Sequence, residues 1–414
     1  MYYLLFIAYL VLFCAGLNRI GFVKNTGLDK RTVILLFLVK VAAGLCMGWI
    51  TLTYFGGGDY GSANMYGRLE HKLLLDDPNK FFRELFDAEY SQGYGGMFDS
   101  VNSFWHDLAG NCIYKLLAIF NFLSRGNFYI NTLFLNFIGF FGHLALFRVF
   151  NDVYKDKKWL LLAGCFLIPS TLYFSSGLHK DNLAFTAVCI FSYAIYFLIS
   201  RSFSFRKVLL LIVSSAVLLL IKNYVFIALI PPAIALYVAG KTGRTWLSFL
   251  SVYGLSLLLI FCSIKLSPSR NPLHTITQKQ QDFFKLETAR TQVNMDTLQP
   301  TIGSFASNIP SAIERAYLRP YVWEQPTRYL LIPALEIVIY IIILALAFFL
   351  QVRNYSKPPP FVLFGIFFSA TMFLFIGFVV PNFGSIVRYR SLYLPFLLIP
   401  ALAGVLNHIK KYNM

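Results

Sequence analysis

Long apolar segments recur along almost the whole chain, and they constrain its fold more than any other feature of the sequence. A transmembrane helix needs about 17–25 mostly apolar residues, and eleven segments reach or approach that length. They cover residues 2–17, 32–55, 129–149, 159–175, 182–200, 207–221, 224–240, 245–265, 329–351, 361–380 and 391–407. Only 13% of the residues are charged, whereas about 25% is usual in a soluble globular chain. The sequence therefore predicts an all-α, polytopic membrane protein in which residues 1–414 form one membrane domain, and it excludes a water-soluble enzyme.

The first apolar segment, residues 2–17, resembles the hydrophobic part of a signal peptide. No basic residue precedes it, and Phe13 before Cys14 does not fit a lipoprotein cleavage motif. Because a secretory signal begins with a basic region, we predict a retained transmembrane helix instead.

The short connections between the apolar segments alternate in charge. Every second connection is basic, namely 18–31, 150–158, 201–206, 241–244, 352–360 and the C-terminal tail. Basic loops stay on the cytoplasmic side of a membrane. This pattern predicts a multi-pass protein of the cytoplasmic membrane, with its N-terminus outside and its C-terminus in the cytoplasm.

Two long loops then fall on the outer side, residues 56–128 and residues 266–328. Loops of this length are usually functional. The first contains two amphipathic segments, at about 62–75 and 108–124, which we predict to be helices lying near the membrane surface.

Four cations occupy short connections on the predicted outer side, where Lys and Arg are normally avoided. They are Lys180, Lys222, Arg388 and Arg390. Ionisable groups held at a membrane boundary against this rule are candidates for function. Arg binds phosphate through two hydrogen bonds and Lys as a point charge, so we predict an anionic ligand such as a lipid phosphate or diphosphate.

The turn at residues 175–182 brings hydroxyls, an imidazole, an ammonium and a carboxylate together. In the functional interpretation Lys180 binds a substrate phosphate, Asp181 holds the Lys180 ammonium in place, and His179 lies nearby. In the alternative interpretation this is a water-exposed turn with a local ion pair, in which Asp181 or a nearby serine caps the next helix.

Asp59 follows three glycines, residues 56–58, directly after the second apolar segment. Glycines allow a sharp turn and the close approach of a ligand. A carboxylate placed there can act as a general base on a hydroxyl or bind a metal. The alternative is that Asp59 or Ser62 caps a helix that runs to about residue 75.

The end of the second long loop offers further candidates. Ser311 and Glu314 have capping-box spacing, which predicts a helix start there with Arg315 and Arg319 on one face. With Tyr321 and Trp323 these cations form a basic, aromatic edge suited to sugars and phosphates, or else an interfacial aromatic belt.

Three apolar spans also carry ionisable residues. Glu336 is expected to be a second carboxylate facing the same outer cavity, Lys40 is expected to extend towards the cytoplasmic side, and His143 is expected to be a satisfied core residue.

This constellation resembles bacterial polytopic glycosyltransferases of the GT-C superfamily and the related O-antigen-polymerase-like enzymes. Asp59 is similar to the carboxylate of the first outer loop in GT-C enzymes, and the two amphipathic segments resemble their juxtamembrane helices. The stretch at 176–181 resembles a turn of O-antigen-polymerase-like proteins. Residues 388–390, before a proline-containing last span, are similar to the closing segment of many such enzymes.

The resemblance implies transfer of a sugar from a polyprenyl phosphate or diphosphate in the outer leaflet to a glycan or lipid-linked acceptor. Asp59 would be the base. The leaving phosphate would be stabilised by Lys180, Arg388, Arg390, Arg319 and Lys222, with His179, Asp181 and Glu336 in support. We expect no cofactor, although a divalent metal is compatible with the site, and no nucleic-acid partner.

Two other functions stay open. The first is a polymerase that joins whole lipid-linked repeat units. The second is a transporter or flippase of an anionic lipid-linked glycan, which would share the basic cavity but is expected to show paired broken helices in related halves.

Overall fold

The computed structural model describes residues 1–85, 104–201, 203–267, 271–285, 291–324, 328–354 and 357–412. Within these ranges the chain forms the following α-helices: α1 Tyr2–Leu17, α2 Gly21–Lys24, α3 Lys30–Tyr54, α4 Gly58–Asp76, α5 Pro78–Arg83, α6 Phe104–Ser124, α7 Phe128–Val153, α8 Lys158–Phe166, α9 Pro169–Phe174, α10 Lys180–Ser200, α11 Phe205–Thr242, α12 Thr245–Leu266, α13 Pro272–Lys285, α14 Ile302–Ile313, α15 Leu331–Asn354, α16 Pro360–Val379, α17 Phe383–Ser391 and α18 Leu394–Tyr412. A π-helical turn, Glu314–Leu318, continues α14. The all-α prediction is confirmed for this part of the chain.

Seven helices in the described part of the chain are long and apolar enough to cross a membrane. They are α3, α7, α10, α11, α12, α15 and α16, and the bent pair α17–α18, with an angle of 62° between its halves, would make an eighth. The polytopic membrane character of the chain is therefore supported, whereas the count of eleven spans is not confirmed.

The segment expected to span the membrane at 159–175 is broken into α8 and α9. The break at Leu167 and Ile168 directly precedes Pro169, which is the first residue of α9. Proline has no backbone N–H to donate and clashes with the preceding turn of a helix. Helix α9 then ends at Phe174, and the turn at residues 175–179 leads into α10.

Helix α11 folds back on itself at Lys222. The backbone of Lys222 is non-helical, with φ −147° and ψ 72°. Near the start of α11, the Lys207 ammonium donates to the carbonyl of Phe197 near the end of α10. Near the end of α11, Gly240 packs on Ile199, so closely that a Cβ added at Gly240 would lie 2.7 Å from it. Because Lys222 lies beside the start of α10, the two halves of α11 pass α10 in opposite directions, which places Lys222 in a turn between them.

The basic connections 150–158 and 201–206 lie at one end of the helix bundle, near the last helix, and this end is here called the basic end. Arg201 Nη2 lies 2.6 Å from Asp152 Oδ1, and the Lys157 ammonium donates to the carbonyl of Ala403. The start of α10, the turn at Lys222 and the end of α3 lie at the other end, here called the cavity end.

Helices α4 and α6 pack against each other at the cavity end. A Cβ added at Gly67 would lie 2.6 Å from the Cβ of Leu117, so the two helices approach closely at this point. His71 Nδ1 lies 2.8 Å from the Ala118 carbonyl, and the Lys115 ammonium lies 2.9 Å from Glu70. The two amphipathic helices expected at about 62–75 and 108–124 are confirmed, each with a few more residues at its start.

Candidate functional site

Asp181 is the centre of a buried charged cluster at the cavity end. It lies in the first turn of α10, where the positive end of the helix dipole favours a carboxylate. The Lys222 ammonium lies 2.5 Å from Asp181 Oδ1, and the side chains are 4% and 0% exposed. The Arg388 guanidinium donates from Nε to Oδ2 of the same carboxylate. One buried carboxylate therefore holds two cations that the chain brings from α11 and α17.

Arg388 also reaches a second carboxylate. Its Nη1 lies 3.1 Å from Oδ2 of Asp59, whose side chain is 67% exposed. Its Nη2 lies 2.8 Å from Nδ1 and 3.0 Å from Nε2 of His179, and the ring centroids of Tyr60 and His179 are 4.9 Å apart. Asp59, His179, Asp181, Lys222 and Arg388, expected from the sequence to share one site, are in contact in the structure.

The glycines at 56–58 place Asp59 in this contact. Their φ angles are 62°, 95° and 45°, a region that side-chain-bearing residues rarely adopt. Asp59 lies in the first turn of α4, and no side chain caps the start of that helix. The helix-cap alternative for Asp59 is therefore wrong. At α10 the cap is His179, whose Nδ1 lies 3.4 Å from the backbone N of Asp181, so the expected cap by Asp181 or a serine is also wrong.

Burial and the neighbouring cations set the ionisation of His179 and Asp59. Burial, with Arg388 nearby, lowers the pKa of His179 from 6.5 to about 4, so the imidazole is neutral near pH 7. Partial desolvation by the surrounding residues opposes ionisation of Asp59, but the Arg388 guanidinium outweighs it and holds the pKa of this carboxyl below its ordinary value. Asp59 is therefore an ionised carboxylate that is partly neutralised by Arg388.

A cavity of about 470 Å³ opens beside the cluster. Its polar lining includes Asp59, His106, His179, Lys180, Lys222, Lys279 and Arg388, and its apolar lining includes Leu219, Leu220, Ile221, Phe375, Ile376 and Val380. Lys180 forms no hydrogen bond or ion pair with any residue that the structure describes. Its ammonium is therefore available to a ligand.

Three buried side chains donate hydrogen bonds to the turn that carries His179 and Lys180. The Lys40 ammonium lies 2.6 Å from the carbonyl oxygen of Ser175. The side-chain amides of Asn136 and Asn182 donate to the next two carbonyls, those of Ser176 and Gly177, at 3.0 Å and 3.4 Å. We call these three donors the carbonyl cradle. It fixes three consecutive peptides, the last of which joins Gly177 to Leu178, one residue before His179.

Lys40 was expected to extend towards the cytoplasmic side. Instead its side chain is wholly buried, and its ammonium contacts the carbonyl of Ser175 in the turn before α10. His143 is also wholly buried. Its Nδ1 lies 3.2 Å from the Gly139 carbonyl and its Nε2 lies 3.2 Å from Ser175 Oγ. The prediction of a satisfied core histidine is confirmed.

Three of the candidate residues are not part of this cluster. Arg390 is buried and donates to the carbonyls of Ala316 and Arg319 at 2.9 Å and 3.0 Å. Arg319 pairs with Glu324. Glu336 accepts hydrogen bonds from the backbone N and Oγ of Ser170, at 2.7 Å and 2.5 Å. Each of these three side chains therefore has its hydrogen-bond or ion-pair partners outside the cluster, and none of them lines the cavity.

The helix start expected at Ser311 is wrong. Ser311 lies inside α14, which begins at Ile302 with Thr301 as its cap. Arg315 donates to the Gly377 carbonyl at 3.0 Å, whereas Arg319 follows the π-helical turn in extended backbone. The two arginines therefore have separate partners and do not form one basic face.

Sequence reasoning missed several residues that line the cavity. His106 is on α6 and Lys279 is on α13, both within the long loops, and Tyr224 directly follows the turn of α11. The basic, amphipathic character of 272–285 was the available signal for Lys279. For His106 no pattern in the sequence indicated the cavity.

Among the residues that the structure describes, no group of three or more His, Cys, Asp or Glu side chains is arranged to hold a metal ion. In comparisons with protein-family models, curated protein sequences and solved structures, this chain matches none. The resemblance to GT-C enzymes and O-antigen-polymerase-like proteins therefore stays a prediction.

Proposed function

We propose that this chain is an integral membrane glycosyltransferase that takes its sugar from a polyprenyl phosphate or diphosphate at the outer face of the cytoplasmic membrane. In this proposal the cavity end faces outwards and the basic end faces the cytoplasm, in accord with the distribution of basic loops. The product would be a cell-surface polysaccharide or another glycoconjugate.

The observation that carries the proposal is the arrangement of cations around one cavity. Arg388 and Lys222 are held in place by the buried carboxylate of Asp181, and Lys180 lies beside them without a partner among the described residues. Preorganised charge directed at a developing anion is usually the largest single contribution to catalysis. A leaving phosphate is such an anion, so this arrangement supports phosphate departure.

The other lining of the cavity supports a lipid-linked donor. Leu219, Leu220 and Ile221 precede the turn of α11, and Phe375 and Ile376 belong to the last turns of α16. Leu219 is 37% exposed. An apolar wall next to a cationic wall matches a ligand that has a hydrocarbon chain and a phosphate head.

The proposed reaction exchanges the partner of Arg388. The incoming phosphate competes with Asp59 for Nη1 of Arg388, and the exposed side of this ion pair makes the exchange feasible. Asp59, released from the guanidinium, regains basicity and takes the proton of the acceptor hydroxyl. The acceptor oxygen then bonds to the anomeric carbon, and the bond from that carbon to the phosphate oxygen breaks, leaving its electron pair on the phosphate.

Asp181 has a different part in this proposal. It is fully buried and already binds two cations, so it is a positioning residue for Arg388 and Lys222. His179, neutral near pH 7, accepts a hydrogen bond from Arg388 without adding a charge that would repel it.

The test is an in vitro assay with purified protein, polyprenyl-linked sugar donors and acceptors, read by mass spectrometry. Wild type is compared with Asp59→Asn and Arg388→Ala. Increments of one sugar, lost in both variants, support a transferase, and a ladder of whole repeat units supports the polymerase alternative. Movement of an intact lipid-linked glycan between leaflets of a liposome, without a change in its mass, would replace the proposal with transport.

A further inference from the structure

A pair of stacked aromatic rings lies on the cavity end, outside the cavity. Tyr321 and Trp323 have ring centroids 4.8 Å apart and an angle of 11° between their planes. Trp323 is 81% exposed. Two nearly parallel rings leave one broad face of the indole open to the surroundings.

Charged side chains hold this aromatic pair in a fixed position. Arg319 and Glu324 form an ion pair, with Nε 2.9 Å from Oε2. Glu324 Oε2 also lies 3.3 Å from the backbone N of Tyr321. The Tyr321 hydroxyl donates to Glu314 Oε1 at 3.2 Å. The hydrogen bond from Arg319 lowers the pKa of Glu324, so this ion pair persists near pH 7.

The aromatic pair is connected to the cavity through α17. The Arg319 guanidinium carbon lies 5.2 Å from the ring centre of Phe383, and its backbone carbonyl accepts a hydrogen bond from Arg390 at 3.0 Å. Phe383 and Arg388 are about 7.5 Å apart along the axis of the helix. The aromatic pair and the phosphate-directed cations are thus attached to the same short helix.

A second aromatic group at this end provides a contrast. Trp49, Tyr54, Phe55 and Tyr329 are also exposed, and their ring centroids lie 5.2–6.0 Å apart. In the described part of the chain no hydrogen bond or ion pair ties these four rings to a charged side chain. That composition is typical of aromatic side chains at a membrane interface.

We infer that the stacked pair of Tyr321 and Trp323, bordered by Glu314, Arg319 and Glu324, is a binding platform for a pyranose ring of the acceptor glycan. The apolar C–H face of a pyranose packs on an open aromatic face, and the carboxylates and the guanidinium at its edge supply acceptors and donors for hydroxyls. This inference rests on the proposed function, because it gives the acceptor glycan a place beside the donor cavity.

The test measures glycan binding without any transfer reaction. The full-length protein in nanodiscs is mixed with cellotetraose, maltotetraose, chitotetraose and β-1,4-galactotetraose, and saturation-transfer-difference NMR reports contact with each sugar. We expect binding of at least one of these probes, weakened about tenfold in Trp323→Ala and retained in Trp323→Phe, which keeps a ring. Trp49→Ala, a matched loss of an exposed Trp in the contrasting group, is expected to leave binding unchanged.

Two results would overturn the inference. In the first, no sugar gives a saturation-transfer signal that is lost in Trp323→Ala and kept in Trp49→Ala. The other is quenching of Trp323 fluorescence by lipids brominated on their acyl chains, measured as the difference between wild type and Trp323→Phe, since this would make the ring a bilayer anchor. If the platform binds no glycan but the protein still transfers sugar, the inference is wrong and the proposed function stands. If the wild-type platform binds glycan but the protein transfers no sugar, the inference stands and the proposed function is wrong.

Discussion

Lys222 and Asp181 form a buried ion pair, 2.5 Å from Nζ to Oδ1, between the turn of α11 and the start of α10. Arg388 binds the other oxygen of the same carboxylate. Two cations share this one buried anion, so Asp181 alone does not neutralise them, and Arg388 also contacts the exposed carboxylate of Asp59. The pair thus links the fold of α11 to the electrostatics of the candidate site.

Loss of the Asp181 charge is expected to destabilise the protein strongly. In Asp181→Asn, Lys222 and Arg388 lose their shared buried partner, and breaking a buried pair in this way costs about 3–5 kcal/mol. The measurement is the free energy of unfolding in mixed micelles with increasing denaturing detergent. The control is Asp152→Asn, which removes the more exposed pair with Arg201 and is expected to cost less than about 1 kcal/mol. Equal losses in the two variants would contradict the central position of Asp181.

Removal of the Lys180 charge is expected to weaken ligand binding without weakening the fold. Lys180 has no hydrogen bond or ion pair with the described residues, so Lys180→Met breaks none of the hydrogen bonds or ion pairs that hold the described fold together. We expect the Kd for polyprenyl phosphate to rise about tenfold, as for the loss of one charge-assisted contact, with an unchanged melting temperature. The matched control is Lys241→Met at the basic end, for which an equal loss of affinity would show that the effect is not specific to the cavity.

The buried imidazole of His179 makes stability depend on pH. Its pKa is about 4 in the folded protein and 6.5 ordinarily, so between these values the unfolded chain binds more protons. The free energy of unfolding is therefore expected to fall as the pH decreases from 6.5 to about 4. Unfolding measured over this range should show a smaller pH slope in His179→Gln than in wild type. Identical slopes would contradict a buried, neutral His179.

Helix α3 leaves no space for a side chain at Gly44. A Cβ added there would lie 2.2 Å from Asn136 Nδ2 and 2.6 Å from the Ser176 carbonyl oxygen, both of which belong to the carbonyl cradle contacts. Gly44→Ala is therefore expected to displace the turn that carries His179, at a cost of about 1–3 kcal/mol for overpacking, and to reduce sugar transfer. In Gly16→Ala, where nothing lies within 4 Å, the protein should lose neither stability nor transfer, since alanine is the better helix former. Wild-type behaviour of Gly44→Ala would show that the cradle is not required.

The sequence predicted the core of the candidate site because of an imbalance in local charge. Four cations, Lys180, Lys222, Arg388 and Arg390, depart from the predicted alternation of basic connections. The structure brings the first three to one cavity, whereas Arg390 is buried against backbone carbonyls. The glycines before Asp59 were equally informative, since three consecutive positive φ angles require them.

The rest depended on contacts between distant residues. Lys40 donates to a carbonyl 135 residues away, and Arg390 donates to carbonyls more than 70 residues away. Any residue type supplies a backbone carbonyl, so the sequence gives no sign of such a partner. His106 and Lys279 reach the cavity through the packing of α6 and α13, which hydrophobic periodicity does not determine.

The most direct test of the account is an experimental structure of the protein in nanodiscs with polyprenyl phosphate, the proposed leaving group. We expect the phosphate within hydrogen-bond distance of Lys180 and Arg388, the hydrocarbon chain along Leu219 and Ile376, and Asp59 separated from Arg388. Phosphate bound elsewhere on the protein, with the ion pair between Asp59 and Arg388 intact, would contradict the account.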